Sequence, residues 1–223
     1  MPAIQLAQLK MQAGQLADYF SKPEAFVRRL HSTLDFYADR THRSGQSGEP
    51  PPLTPSYNVP PPVLRQVMAE ITPLAQGNPQ AALALGDALW EQNNLECRLL
   101  SAWLLGLAPV DPPEAVITRL HARAAVREPR LLEALIDQGL ARLRQQAGQH
   151  YLKLITGWLA SGSVHDQSLG LLAMIPLLES PTYDNLPFIY KMVTPHVRAT
   201  VTDLRHDVAG VVRAMARRSP RET

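Results

Sequence analysis

The sequence predicts an all-α fold of antiparallel helix pairs stacked as a helical-repeat array, and three observations predict it. Leu, Ala, Gln and Arg dominate, while aromatic residues are only 6% and no period-2 strand pattern is visible, a composition of helix formers. Apolar residues recur at helical spacing, as in Phe26, Leu30 and Leu34, in Leu131, Leu135 and Ile136, and in Leu169, Leu172 and Ile175. Proline and glycine punctuate the intervals, so the connections are short and successive helices must double back on one another.

The elements follow in order. Segments 3–19 and 23–39 form an N-terminal pair; the second opens on Ser21-Lys22-Pro23-Glu24, which has the form of a capping box with proline at the first helical position. Residues 41–62 carry Ser44-Gly45-Gln46-Ser47-Gly48 and the triplets Pro50–Pro52 and Pro60–Pro62, and read as a linker with extended, polyproline-like portions. Segment 60–76 follows, then 79–92 behind the cap Asn78-Pro79, then 94–107. Asp111-Pro112-Pro113-Glu114 places a capping box ahead of 112–127, and Leu131, Leu135 and Ile136 carry 130–145. Gly148 and Gly162 delimit 148–160 and 163–179, and beyond Pro181 two segments, 185–194 and 196–218, divide at Pro195. A helix pair every roughly 35–40 residues is the period of HEAT-like repeats, an α-α superhelix. The expected organisation is an N-terminal pair (1–40), a linker loop (41–62) and the repeats (63–223), the pair and the repeats forming one continuous array.

Composition bounds the function. With 45% hydrophobic and 19% charged residues and a mean hydropathy of -0.13, the chain can bury a core. No apolar run reaches the roughly 18 residues of a membrane span, and Met1 to Lys10 lacks a signal-peptide pattern; a cytoplasmic protein without membrane partners is expected. The single cysteine, Cys97, excludes an internal disulfide framework and a cysteine-based zinc cluster, and reads as a buried structural thiol in a Leu-rich segment. The seven histidines include no i,i+4 pair and no HExxH, so no metal is expected. There is no phosphate-binding glycine loop, no dinucleotide fingerprint and no GxSxG elbow, so neither a nucleotide cofactor nor a serine hydrolase is expected.

Charge is where the sequence is uneven. Of 22 basic residues 18 are arginine, and residues 191–223 hold seven basic side chains against three acidic ones. Arg119, Arg123 and Arg127 are four apart and predict one stripe on the 112–127 segment, with Arg130 following at the turn. Arg198, Arg205, Arg213 and Arg217 predict a second stripe on the last helix. Such stripes hold duplex DNA through its phosphates without reading sequence; the plainer reading is a solvated helix face with Glu128 and Asp207 as ion-pair partners. The lack of aromatic residues among these arginines speaks against stacking on single strands.

One stretch is more specific. Tyr57-Asn58-Val59-Pro60, Val63-Leu64-Arg65, Leu85, Ala88-Leu89-Trp90, Glu96, Arg98, Ala102 and Leu104-Leu105 resemble the AlkD-like DNA alkylation repair family, HEAT-like proteins that excise alkylated purines. The resemblance covers 57–106 well, and continues loosely through Gly157-Trp158-Leu159-Ala160-Ser161 and Gly210-Val211-Val212-Arg213. It implies the helical-repeat fold and duplex DNA as a partner. Read from the residues alone, Trp90 and Trp103 pack the core, and Glu96 and Arg98 each tie to a neighbouring repeat.

The family's chemistry implies other residues. Active members carry a Trp-Asp-x-x-Asp motif at a helix start and a further Trp in the last repeat; the two tryptophans border the DNA cleft and the second aspartate stabilises the cationic sugar. The matching positions here are Pro129 or Arg130 for the first Trp, Glu133 or its neighbour for the carboxylate, and Val211 for the last Trp. Neither aromatic is present. Loss of each ring removes a cation–π contact of about 0.5–2 kcal/mol with a cationic alkylated base, whereas Glu133 retains a negative charge to oppose an oxocarbenium ion. The expected function is binding of duplex or damaged DNA through phosphate-contacting arginines, with weak or no alkylpurine glycosylase activity. The alternatives are an active glycosylase using Glu133 and a non-enzymatic scaffold for a protein partner.

Overall fold

The computed structural model describes residues 5–41, 52–126, 128–199 and 201–218, and all regular structure among them is helical. They gather into two compact units divided between Arg142 and Leu143. None of their helices is long and apolar enough to cross a membrane.

The first unit begins with α1 (Leu6–Ala17) and α2 (Pro23–Phe36), followed after the extended stretch by α3 (Pro61–Gly77), α4 (Pro79–Trp90) and α5 (Leu95–Leu105). Helix α1 packs on α3, α2 on α4 and α4 on α5. The i, i+3, i+4 spacing read from the sequence is the buried face: Phe26, Leu30 and Leu34 of α2 meet Val67 and Ile71 of α3, Leu85 and Leu89 of α4, and Leu100 and Leu104 of α5 in one core. Trp103 packs against it half-buried. Asn78 caps α4 as expected, accepting from the Ala81 N–H, and Asn94 caps α5 through the Cys97 N–H.

Two expected capping boxes do not form. Helix α2 begins at Pro23 with no side-chain cap. Helix α6 (Glu114–Arg123) begins three residues after Asp111, with Pro113 at the N-cap. A residue that precedes proline is pushed out of the helical region, so in Asp111-Pro112-Pro113 the first residue free to turn helical is Pro113 itself. Helix α6 also ends at Arg123 rather than 127.

The expected 130–145 helix is three pieces: α7 (Pro129–Ala134), a π-helical turn (Leu135–Gly139) and α8 (Ala141–Gln146). The π turn lies against the end of α5, where a Cβ on Gly106 would overlap the Gln138 carbonyl oxygen. Arg142 reaches back from α8 to the Leu107 carbonyl at 2.6 Å.

In the second unit, α9 (Gly148–Ala160) and α10 (Val164–Glu179) form a tight pair, α10 packs on α12 (Arg205–Arg218), and α11 (Leu186–Ala199) packs on both α10 and α12. Tyr151 is fully buried and donates its hydroxyl to the Ala173 carbonyl at 2.7 Å. Trp158 is buried on α9. The break expected at Pro195 lies further on: α11 runs through it, and a 3-10 turn at Thr202–Leu204 precedes α12. Ile189 and Val193 are buried, and one hydrogen bond lost at proline near a helix end costs less than exposing them.

Cys97 is buried at 0% exposure, and loss of hydration, together with the Glu96 charge, pushes its thiol up to about 12. In the folded chain it is expected to resist iodoacetamide at neutral pH, reacting only as the protein unfolds, which mass spectrometry across a urea series reads directly. The thiol is protonated in both states below pH about 9; between 9.0 and about 12 only the unfolded chain ionises, so this group makes stability fall as pH rises through that window.

Candidate nucleic-acid interface

Arg119 and Arg123 both reach from α6 to Asp87 on α4. Arg119 forks onto the carboxylate, Nε to Oδ1 at 2.9 Å and Nη2 to Oδ2 at 3.0 Å, and Arg123 Nη2 donates to Oδ1 at 2.5 Å. Arg123 is 5% exposed. Burial pulls its guanidinium below the ordinary value and Asp87 opposes that shift. The guanidinium carbons of Arg98 and Arg123 stand 5.6 and 5.3 Å from the Trp90 ring centroid, and Arg98 Nε also donates to the Trp90 carbonyl. This differs from the solvent-facing stripe expected of the sequence. Arg123 is turned into the protein and Arg119 is committed to the same carboxylate, so the pair is an ion cluster joining α4 to α6. Arg127 lies outside the described residues and beyond the end of α6.

On α7, Pro129, Arg130 and Glu133 are exposed, and Arg130 and Glu133, three apart, share a face. The residue before them is not the surface partner expected for the arginines. Glu128 is 4% exposed, and its Oε2 accepts the backbone N–H groups of Leu53 (2.6 Å) and Thr54 (3.2 Å).

Within the expected linker 41–62, residues 42–51 lie outside the described ones, but 52–59 are fastened along their length. The Pro55 carbonyl accepts from the Leu95 N–H (2.8 Å) and from Asn94 Nδ2. Ser56 Oγ donates to the buried Glu96 (2.7 Å) and accepts from the Asn58 N–H. Asn58 takes the left-handed conformation, φ 53°, that such a turn requires and Asn tolerates. Tyr57 Oη meets His31 Nδ1 at 3.1 Å. Glu96 thus ties to this strap, and Arg98 to the preceding helix.

In the second unit the expected second stripe divides between two helices. Arg198 is exposed on α11, while Arg205, Arg213 and Arg217 are exposed on α12. Arg217 pairs with Glu179 at 3.1 Å across the surface. Arg205 and Arg213, with Ala209 between them, are held by no other described residue. Asp207, expected as an arginine partner, instead accepts from Ser168 Oγ at 2.6 Å. Val211 is fully buried, so this position presents no surface to a ligand. Burial also lowers His196 on α11.

Among the described residues no group of three or more His, Cys, Asp or Glu is placed to hold a metal ion. The arrangement offers two chemically distinct surfaces: a carboxylate-bearing face on α7 bordered by the strap, and an arginine face on α12. Sequence spacing finds the arginines but misses Asp87, and it assigns Glu128 to the arginines when its partners lie on the strap; the true partners are 32 to 75 residues away along the chain. No curated protein and no solved structure matches the chain. The model of the DNA alkylation repair enzyme family matches residues 40–223, most of its length, and the chain belongs to that family.

Proposed function

We propose that this protein binds duplex or damaged DNA through the exposed arginines of α12, with weak or no alkylpurine glycosylase activity. The observation that carries the reading is the pair Arg205 and Arg213, exposed on one helix and unmatched by any carboxylate among the described residues. Two helical turns apart, they are spaced about 12 Å along the axis at 1.5 Å per residue, and the alanine between them lets a phosphate backbone approach. Arg217 joins them readily, because an exposed pair such as Arg217–Glu179 is worth under about 1 kcal/mol and a phosphate replaces the carboxylate. Arg198, on α11 of the same unit, is a further exposed cation, and Arg130 is exposed on α7 of the first unit.

Weak or absent catalysis follows from the α7 face. Glu133 is open to solvent, where a unit charge at 4 Å contributes only about 1 kcal/mol, and Pro129 and Arg130 supply no aromatic wall. Base release from alkylated duplex is therefore expected at background level. Release that Glu133→Ala abolishes would establish the glycosylase alternative instead.

The direct test is fluorescence anisotropy on a plain duplex from about 50 to 200 mM salt. Each phosphate contact contributes a slope of about -0.9 in log affinity against log salt. The double variant Arg205→Ala, Arg213→Ala is expected to be shallower by about 2 units. An unchanged slope removes these residues from the interface, and no binding at the lowest salt leaves the protein-scaffold alternative.

A further inference from the structure

We infer that the outer face of α1 is a docking surface for a second copy of this chain, the two helices crossing antiparallel on a two-fold axis at Gly14. The inference is independent of the DNA-binding reading and uses residues of the first unit alone.

Helix α1 turns Leu9, Ala13 and Leu16 into the core. On its opposite side Ala7, Lys10, Met11, Gly14 and Asp18 follow one another at steps of three and four, so they form one stripe, and together with Glu70 of α3 they line an open groove. Scattered exposed apolar residues are ordinary; this stripe carries more than that. Met11 is 58% exposed in its middle. Beside it a Cβ added to Gly14 would meet nothing within 4 Å, so the space over the helix is empty.

The charges are the second observation. Asp18 is the C-cap of α1 and exposed, which sets a carboxylate at the negative end of the helix dipole, the unfavourable end for it. No described residue supplies a cation to relieve it, and Lys10 has no partner among the described residues either. Glu70, in the same groove, accepts from Gln66 at 2.8 Å rather than from Lys10. Helix α1 also precedes residue 40, where the family match begins, so kinship assigns this face no task.

The arrangement of the charges selects the occupant. Lys10 stands four residues before Gly14 and Asp18 four after, each about 6 Å from it along the axis at 1.5 Å per residue. A two-fold axis at Gly14 lays Lys10 of each copy against the partner's Asp18, and one operation makes both pairs. A parallel crossing would set lysine on lysine and aspartate on aspartate. With no side chain at the crossing point the two helices approach closely, and Met11 of each copy is covered there. Exposed ion pairs contribute little affinity, so the charges set direction and register while the apolar contact holds the pair. Two short helices cover less than the roughly 800 Å² per partner of a stable interface, so the association is weak and follows concentration.

Sedimentation equilibrium of the full chain at low salt tests this. Between about 10 and about 500 µM, a range that populates weak complexes, the mass is expected to rise from 24.7 kDa towards twice that value. Lys10→Glu alone or Asp18→Lys alone sets like charges across the axis and is expected to weaken association at least about tenfold. The double variant Lys10→Glu, Asp18→Lys restores it with the signs exchanged. Gly14→Gln, directed into empty space, keeps the helix and abolishes the dimer. Thermal melts separate the interface from the fold: Asp18→Lys removes the unfavourable end charge, so it is expected to melt no lower than wild type while associating less. A chain that stays at monomer mass throughout overturns the proposal. So does a dimer that all three single variants leave intact, or a double variant as monomeric as the single ones.

Discussion

Replacing Asp87 with alanine is expected to cost about 3 kcal/mol of stability. Asp87 is half exposed and would be unremarkable alone, but it accepts from both Arg119 and Arg123, and Arg123 is 5% exposed. Removing the carboxylate strands a guanidinium that cannot shed its proton and cannot reach water without opening the α4–α6 contact. Truncating one partner of a buried pair generally costs more than deleting both. A urea-denaturation cycle checks this: the double variant Asp87→Ala, Arg123→Met is expected to recover at least half of the loss seen in Asp87→Ala. A double variant as unstable as the single one would mean that Asp87 acts through something other than these charges.

Gly106→Ala is expected to cost a similar amount, about 3 kcal/mol, for a steric reason. Gly106 closes α5 with an ordinary helical backbone, φ -70°, so no unusual conformation demands glycine. The demand comes from outside the helix: an added Cβ overlaps the Gln138 carbonyl oxygen and lies 2.9 Å from its carbon. Both are main-chain atoms of the π turn, so no side chain can rotate away and the Leu135–Gly139 segment itself must shift. Leu135 and Ile136 in that turn are buried, so the shift propagates into the core. Thermal unfolding followed by circular dichroism measures the loss. A melting temperature within a degree of wild type would show that the turn yields freely.

These two positions mark the boundary of what the sequence discloses. Helix existence was legible because it depends on near neighbours along the chain: Phe26, Leu30 and Leu34 announce the buried face of α2, and Asn78 caps α4 as its spacing suggests. The π turn was not, because it is set against the end of α5 by an approach between Gly106 and Gln138, 32 positions apart. Likewise four-residue spacing finds Arg119 and Arg123 but cannot say which way they point; an aspartate on a different helix decides that. Glu128 looked like a surface carboxylate at a helix start, and only the path of residues 52–54 reveals it as buried. On α12 the sequence served better, since Arg205, Arg213 and Arg217 face solvent as their phase requires. Arg198 was separated from them by a 3-10 turn that no proline or glycine announces.

The shared core of the first unit has a consequence for where the protein can be cut. Family likeness starts at residue 40, yet the wall that Phe26, Val27, Leu30 and Leu34 build against α3, α4 and α5 is made upstream of that point. Homology and foldability therefore have different borders in this chain. A fragment trimmed to the border of likeness would carry every residue by which its kinship is recognised and leave Val67, Ile71, Leu85 and Leu89 uncovered. Its fate is self-association rather than a smaller working version of the protein.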